Sequence, residues 1–556
     1  MSGLAESVGR AAPGPAGPGD AVPGGPDTGW RRLDRRSLLI TVQMTGGVVT
    51  AVGLPVTLSF QGWVPMGPVI AWAVGLSLLL IAGGVGLDAL RLRHSRYRIG
   101  PDRAELRSGI LFAKHRSLSR ERIRSVDLVA HPLLRLLGLV EVRIGTGEQS
   151  SAQEATLELR PVRRAEGERL RRELLSRAAP GTAPDAEGTL ASLDVRWIRY
   201  APLSFVTSAL AAAVGGAVMQ VSEWFGVQEE VIERVGDAFR GMSVAGMVLA
   251  LVAGALAAGS VGALGLWVEM WWGYRLEREP GGTLRVRRGL LTTRSVSLEE
   301  ARLRGVDVVE PLGLRLSGAA RVDAVATGLS RRDEEDQAGP GTLLPAAPRR
   351  RADEVAARVL REPVTPTAAP LTPHPRAART RRVRWAVSAA LAPAPVLLPL
   401  GALTGVPVLA YLAAGTTAVL VPVAVALARD AYRGLGHALA GDYLVVRSGT
   451  LRRSTVALRR AGVIGWTVKQ SVLQRRAGLV TLSATTAAGA QAYAAYDVAE
   501  AEGLAFAERA VPGLLGPFLE RAGAPETARS AQRRSVSASS RPCARGRPGG
   551  RRWSGP

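Results

Sequence analysis

Long stretches without a charge alternate in this chain with blocks where apolar and polar residues exchange places every second position. Residues 37–87 hold no Asp, Glu, Lys or Arg. One helix crosses ~30 Å of hydrocarbon with about 20 residues, so a run this long predicts two spans. They fall at 38–60 and 66–87, turning at Gln61-Gly62-Trp63-Val64-Pro65, where Trp63 suits an interface and Pro65 a helix boundary. Residues 201–221, 241–268 and 385–428 are also free of charge, and the last run is long enough for two spans turning near Thr404-Gly405-Val406-Pro407. Pro393, Pro395, Pro399 and Pro422 lie inside that pair and predict kinks, because neighbouring helices can satisfy the freed carbonyls. The expectation is six transmembrane helices in three hairpins, at 38–87, 201–268 and 385–428.

The polar blocks have strand periodicity. Tyr97-Arg98-Ile99 and Ala104-Glu105-Leu106-Arg107 alternate around Gly100-Pro101-Asp102, as two strands joined by a turn do. Alternating runs at 123–129, 139–144 and 155–159 follow, with Gly145-Thr146-Gly147 as a hairpin signal, and residues 163–175 then take helical spacing. A second block repeats this from Tyr274 to a closing helix over 352–360, with Arg331-Arg332-Asp333-Glu334-Glu335-Asp336 in place of one hairpin tip. A third runs from about His437 to Phe518, with helical spacing over 498–510. Each block predicts a small antiparallel sheet capped by a helix.

The three blocks share a written signature. Arg107-Ser108-Gly109-Ile110-Leu111, Arg287-Arg288-Gly289-Leu290-Leu291 and Arg447-Ser448-Gly449-Thr450-Leu451 stand 180 and then 160 residues apart (109 to 289 to 449). A second glycine follows 29 residues later in every copy, at Gly138, Gly318 and Gly478, with Arg135, Arg315 or Arg475 three places before it. Between them stand Ile123-Arg124-Ser125-Val126, Leu303-Arg304-Gly305-Val306 and Val463-Ile464-Gly465-Trp466. A unit used three times explains this, with the first glycines serving a tight strand reversal and the second a turn or close packing.

Composition and charge then sort the partners. Of 556 residues, 71 are Lys or Arg against 47 Asp or Glu, giving a formal net charge of +24, and lysine stands only at Lys114 and Lys469. Such a balance favours anionic partners. Arg31, Arg32, Arg35 and Arg36 precede the first span; Arg91, Arg93, Arg96 and Arg98 follow the second; Arg379, Arg381, Arg382 and Arg384 precede the fifth. The opposite connections lack basic residues or, at Glu223, Glu229, Glu230, Glu233 and Asp237, are acidic in excess. The positive-inside rule therefore predicts a cell-membrane protein with both termini and all sheet blocks cytoplasmic. Arg31, Arg32, Arg35, Arg36, Arg91, Arg93, Arg96, Arg381, Arg382 and Arg384 become candidate contacts for anionic lipid, at about 1 kcal/mol each.

Two apolar spans, a tyrosine-led strand, the Arg-Ser-Gly-Ile-Leu hairpin, Arg122-Ile123-Arg124-Ser125-Val126 and Leu134-Arg135-Leu136-Leu137-Gly138-Leu139 resemble the bacterial pleckstrin-homology-like (PH-like) membrane proteins. The resemblance covers roughly residues 38–520 and weakens in the third block, where His437 replaces the leading tyrosine and Trp466 a valine. It implies three modules, each behind a membrane hairpin, with a bent sheet of about seven strands closed by a C-terminal helix. It implies no catalytic residue and no cofactor, and its partners would be the bilayer and a protein such as a smaller PH-like membrane protein.

Chemical motifs give no competing reading. The histidines, His94, His115, His131, His374 and His437, lack metal-ligand spacing, and Cys543 stands alone. Gly84-Val85-Gly86 ends a span instead of following a strand, Lys114 and Lys469 lack the glycines of a phosphate loop, and no serine elbow occurs. No ionisable group lies within the six spans, unlike the usual transporter. The chain is expected to be an α+β membrane protein acting as a binding or scaffold protein, and not as an enzyme, with no specific nucleic acid partner. A transport or lipid-handling machine built on the hairpins is the alternative. The expected layout is a disordered basic segment at 1–37, hairpins at 38–87, 201–268 and 385–428, modules at 88–180, 269–362 and 429–521, a Pro/Arg-rich linker at 363–384 and a disordered basic tail at 522–556.

Overall fold

A computed structural model describes residues 29–59, 65–109, 114–123, 125–145, 156–175, 188–224, 226–327, 339 and 341–518. The sequence readings for residues 1–28, the turn at 61–64, the hairpin tip at 146–147, the charged loop at 331–336 and the tail at 522–556 lie outside the described residues.

Apolar helices pack in pairs: Leu38–Ser59 against Met66–His94, Phe205–Trp224 against Val244–Trp271, and Arg376–Leu391 with Ala394–Thr404 against Pro407–Arg433. In the second pair a Cβ on Gly259 would lie 2.9 Å from the Ala211 Cβ, so glycine is what lets these two helices approach.

The expected number of spans is corrected. Among the described residues four helices have the length and apolar composition to cross a membrane, Gly67–His94, Val244–Trp271, Arg376–Thr404 and Pro407–Arg433, or up to five if a bent pair counts as one. That pair is Val195–Leu203 with Val206–Glu223, bent by 64°. The helix that starts at Leu38 passes as a shorter apolar helix over Leu38–Gly53. The helix as a whole runs over Leu38–Ser59, 22 residues, about 33 Å at 1.5 Å per residue. An uncharged run records composition and does not show a bend such as the one between Leu203 and Val206.

Three units of like order follow the helix pairs. The first has strands Arg96–Ile99, Arg103–Ser108 and Lys114–Ser119, then Ser125–Ala130, Leu139–Gly145 and Thr156–Arg163, and closes with helix Arg164–Leu175. The second has Arg275–Glu279, Thr283–Arg288 and Thr293–Glu299, then Leu303–Pro311, Ala319–Ala326 and Thr342–Pro348, and helix Arg349–Leu360. The third has Gly436–Ala440, Tyr443–Ser448 and Arg452–Arg459, then Val463–Lys469, Leu479–Thr486 and Ala492–Ala499, and helix Glu500–Ala510. Within each unit the two three-strand halves face one another across an apolar core. In the second, Leu276, Leu284 and Leu298 of one half meet Val306, Val322 and Leu344 of the other and Val355 and Val359 of the helix.

The sheets do not stop at unit boundaries. The second half of unit one continues into the first half of unit two, through Ser125–Ala130 paired antiparallel with Thr293–Glu299, and gains Gly188–Ser192 at its far edge to make seven strands. The second half of unit two continues into the first half of unit three, through Leu303–Pro311 paired with Arg452–Arg459, to make six. The outermost halves stand alone. One is a four-stranded sheet whose fourth member is Arg31–Arg32, and the other is the three-stranded sheet Val463–Lys469, Leu479–Thr486 and Ala492–Ala499.

Arg31–Arg32, grouped above with a disordered segment, pairs with Tyr97 and Arg96 instead. An Arg31–Glu166 ion pair at 2.5 Å and an Arg163–Asp34 pair at 3.1 Å add side-chain contacts. Likewise the segment read as a linker becomes helical at Arg376.

Candidate anion-binding site at the first junction

The signature glycines all take left-handed or related backbone, at φ 133°, 109° and 103° for Gly109, Gly289 and Gly449 and 68°, 70° and 61° for Gly138, Gly318 and Gly478. Their role extends beyond their own unit. Arg135 of unit one donates to the carbonyl of Leu290 at 2.6 Å, and Arg315 of unit two to the carbonyl of Thr450 at 3.2 Å. Leu290 and Thr450 hold the same place in successive hairpins, so the arginine of one copy of the signature grips the hairpin of the next.

At the first junction this arrangement encloses a cavity of about 360 Å³, lined by Arg135, Gly138, Arg164, Glu168, Trp272, Gly273, Arg275, Arg285, Arg287, Arg288, Gly289 and Arg294 among others. Trp272 and Gly273 directly follow the candidate span Val244–Trp271. Arg285 is engaged, at 2.7 Å from Glu168 and 3.0 Å from Glu279, and Arg171 joins both carboxylates. Burial works against the charged form of Glu168, yet Arg285 and Arg171 hold it below the usual carboxylate range. Arg288 stacks over Trp271 at 4.6 Å, and burial with nearby Arg294 lowers it to about 10.

The second junction shows what the first lacks. There Arg315 meets Asp430 at 2.7 Å, and Arg349 meets Glu310 at 2.9 Å and Asp353 at 3.1 Å. Arg164 and Arg349 correspond, since their amides donate to Gly138 and Gly318 respectively. The place of Glu310 is taken in unit one by Ala130, which lines the cavity. Glu269, near the end of its span, is turned onto the amides of Leu291 and Thr292 at 2.9 and 2.8 Å. Among the described residues Arg135, Arg164, Arg275, Arg287 and Arg294 therefore form no ion pair, and the carboxyl that Arg294 feels is the buried Asp127. Guanidinium forks without carboxylates, gathered in one concavity, are a receptor for phosphate or carboxylate.

The bacterial PH domain family matches residues 49–178 and again residues 395–507. Two stretches of the chain are thus similar to bacterial PH domains, in keeping with a protein of several PH-like modules. The unit between them has the same order of strands and helix but lies outside both matches. No curated protein and no solved structure matches the chain.

None of the basic residues singled out beside the spans lines this cavity. Arg31 is held by Glu166, and Arg36, Arg91, Arg93, Arg96 and Arg384 are exposed at separate points. Arg32 contributes backbone pairing, and the side chains of Arg32 and Arg35 lie outside the described residues. Arg381 and Arg382 meet the buried carboxylate of Asp497 at 2.6 and 3.2 Å, which also accepts from Gln474 at 2.9 Å. Of the signature residues, Arg135, Gly138 and Gly289 line the cavity, whereas Arg315, Gly318, Gly449, Arg475 and Gly478 belong to later units. Arg164, Arg275, Arg285 and Arg294 were not singled out in the sequence. The available signal was the Arg287-Arg288 pair, present in that copy of the signature alone.

Proposed function

We propose that the chain is a membrane-anchored scaffold of three PH-like modules on the cytoplasmic face, acting by binding instead of catalysis, and that its first junction takes an anionic lipid head group. The carrying observation is the cavity, where arginines without carboxylate partners gather beside the end of a candidate span. The arginine-rich flanks and acidic connection support the orientation. The test is titration of the full-length protein in neutral detergent with short-chain phosphatidylglycerol, phosphatidylcholine or inorganic phosphate. Phosphatidylglycerol should bind more weakly as salt rises, and Arg164→Ala or Arg294→Ala should each weaken it about five-fold, from about 1 kcal/mol per arginine. Inorganic phosphate matching it would assign the site to a free anion, and equal binding of the choline lipid would overturn the reading. A reporter fused after Gly226 should face away from the cytoplasm; a cytoplasmic signal there would overturn the orientation.

One observation favours lipid handling as a second reading. A cavity of about 420 Å³ at the second junction is lined by Tyr200, Leu203, Trp267, Trp271, Leu312 and Leu451, and could receive an acyl chain. The broken helix with Pro399 inside it would then gate passage, and Pro399→Ala should impair lipid exchange while leaving binding at the first junction intact.

A further inference from the structure

The two junctions are built to one register. At the first, Ser125 faces Leu298, Val126 faces Ser297, Asp127 faces Val296 and Leu128 faces Ser295. At the second, Gly305 faces Leu458, Val306 faces Ala457, Asp307 faces Val456 and Val308 faces Thr455. With the repeat spacings of 180 and 160 residues these are the same pairs (125 to 305; 298 to 458). Each junction also has its arginine on a hairpin carbonyl.

Unit three carries the same parts with nothing to close them. Among the described residues Val463–Lys469 pairs on one side only, with Leu479–Thr486, and the Arg475 guanidinium has no partner. Val468 is 43% exposed, whereas its counterparts Leu128 and Val308 are 6% and 0% exposed. Ile464, Val472 and Leu473 are exposed around it. Inside a closed junction such side chains would be covered, and an unpaired strand edge is a template for another strand.

We propose that Val463–Lys469 and Arg475 form a socket for the first half-sheet of a PH-like module on a different chain. The incoming strand lies antiparallel in the register of the internal junctions, its hairpin carbonyl on Arg475. The residue it presents to Lys469 is acidic.

The chemistry of the edge selects against a second copy of this chain. On a second copy the strand equivalent to Thr293–Glu299 and Arg452–Arg459 is Lys114–Ser119, the last strand of the four-stranded sheet and open on its outer side among the described residues. Continuing the register would set Ser117 against Trp466, Arg116 against Thr467, His115 against Val468 and Lys114 against Lys469. Those are the chain's only two lysines, and Val129 and Val309 hold the position of Lys469 at the closed junctions. Like charges directly opposite destabilise a strand pair, and edge lysines are a common guard against edge-to-edge growth. Without that guard the contact would repeat from copy to copy as an open chain.

Charge exchange on the full-length protein tests this, because Lys114→Glu makes the chain's own strand imitate the partner. Mass is followed against concentration by light scattering in detergent, with circular dichroism confirming the fold. Wild type should stay monomeric, and Lys114→Glu and Lys469→Glu should each assemble, with about a ten-fold lower midpoint concentration than wild type, the order expected when a repulsive cross-strand pair becomes attractive. The double variant should return to monomer, and adding Arg475→Ala to Lys114→Glu should weaken assembly about five-fold through one lost hydrogen bond. Folded single variants that stay monomeric would remove the socket. Wild type assembling as well as the variants would show the occupant to be a second copy, and a double variant assembling like the singles would refute the register.

Discussion

Replacing the two kinds of signature glycine by alanine should give unequal losses. At Gly138, φ is 68° and a Cβ would meet nothing within 4 Å, so Gly138→Ala carries only the left-handed backbone penalty, about 1–2 kcal/mol. At Gly289, φ is 109°, outside the small left-handed well. A Cβ there would lie 2.9 Å from the Thr292 carbonyl carbon and closer still to its oxygen, so the hairpin must move. Strain of about 1–3 kcal/mol is joined by loss of the Gly289 amide bond to the Trp272 carbonyl at 2.9 Å, worth about 1 kcal/mol, and the sum is about 2–4 kcal/mol. Thermal unfolding of the full-length protein in detergent, with hydrogen exchange over Thr293–Glu299, reads both variants. Gly289→Ala should melt lower and lose protection along the junction. Equal melting of the two variants would refute the claim that the first glycine holds a reversal no other residue can make.

Two titrations should run in opposite directions at the two ends of the chain. Burial pushes Asp127 up to about 7 despite Arg143, Arg288 and Arg294, and its Oδ1 has no hydrogen-bond partner among the described residues. The folded form then holds a proton that the unfolded chain has released. Stability is greatest below about pH 4 and is lost as pH rises toward 7, and Asp127→Asn should remove that slope in a pH series of melting curves. His437, buried 3.1 Å from His374 and near Arg509 and Glu502, is pushed down to about 4, first by burial. Its contribution is complete above about 6.5 and lost as pH falls toward 4, so protection in Gly436–Ala440 should decline over that window, less so in His437→Gln. Asp497→Asn keeps the left-handed backbone at φ 57° but removes the charge facing Arg381 and Arg382; as both arginines are partly exposed, melting should report about 2 kcal/mol instead of the larger loss of a fully buried pair.

What the sequence made legible is what one residue type or one local period can encode. Positive φ at Gly109, Gly138 and their copies is legible because glycine is the residue that tolerates it. Strands such as Arg103–Ser108 are legible from alternation. Neighbours across a junction are not, because alternation says which face is buried and leaves open which edge is paired. Thr293–Glu299 looks like the third strand of its own unit and is equally the partner of Ser125–Ala130, more than 160 residues earlier. The candidate site was obscured for the same reason: Arg135 and Arg287 look like unrelated surface cations until the two units share a sheet. The Asp497 partner of Arg381 and Arg382 was equally illegible, because more than 100 residues separate them and their place before a span speaks only of the membrane.

Shared sheets also change what ligand binding at the cavity would do. Were the units separate beads, a head group between two of them would merely tether them. Here the cavity walls include Leu128 and Ala130 on one side of the strand pair and Thr293, Arg294 and Ser295 on the other, so the arginines that would hold the anion are mounted on the ladder that joins the units. Without an anion their mutual repulsion acts to part that ladder; with one, the same charges draw it closed, and binding free energy appears as stability of the junction. The second junction, where Asp430 and Glu310 already neutralise Arg315 and Arg349, gains nothing from an anion. One framework built twice, with carboxylates on Arg315 and Arg349 at one copy and none on Arg135 and Arg164 at the other, would on the proposed function make the second junction a fixed joint and the first a ligand-dependent one.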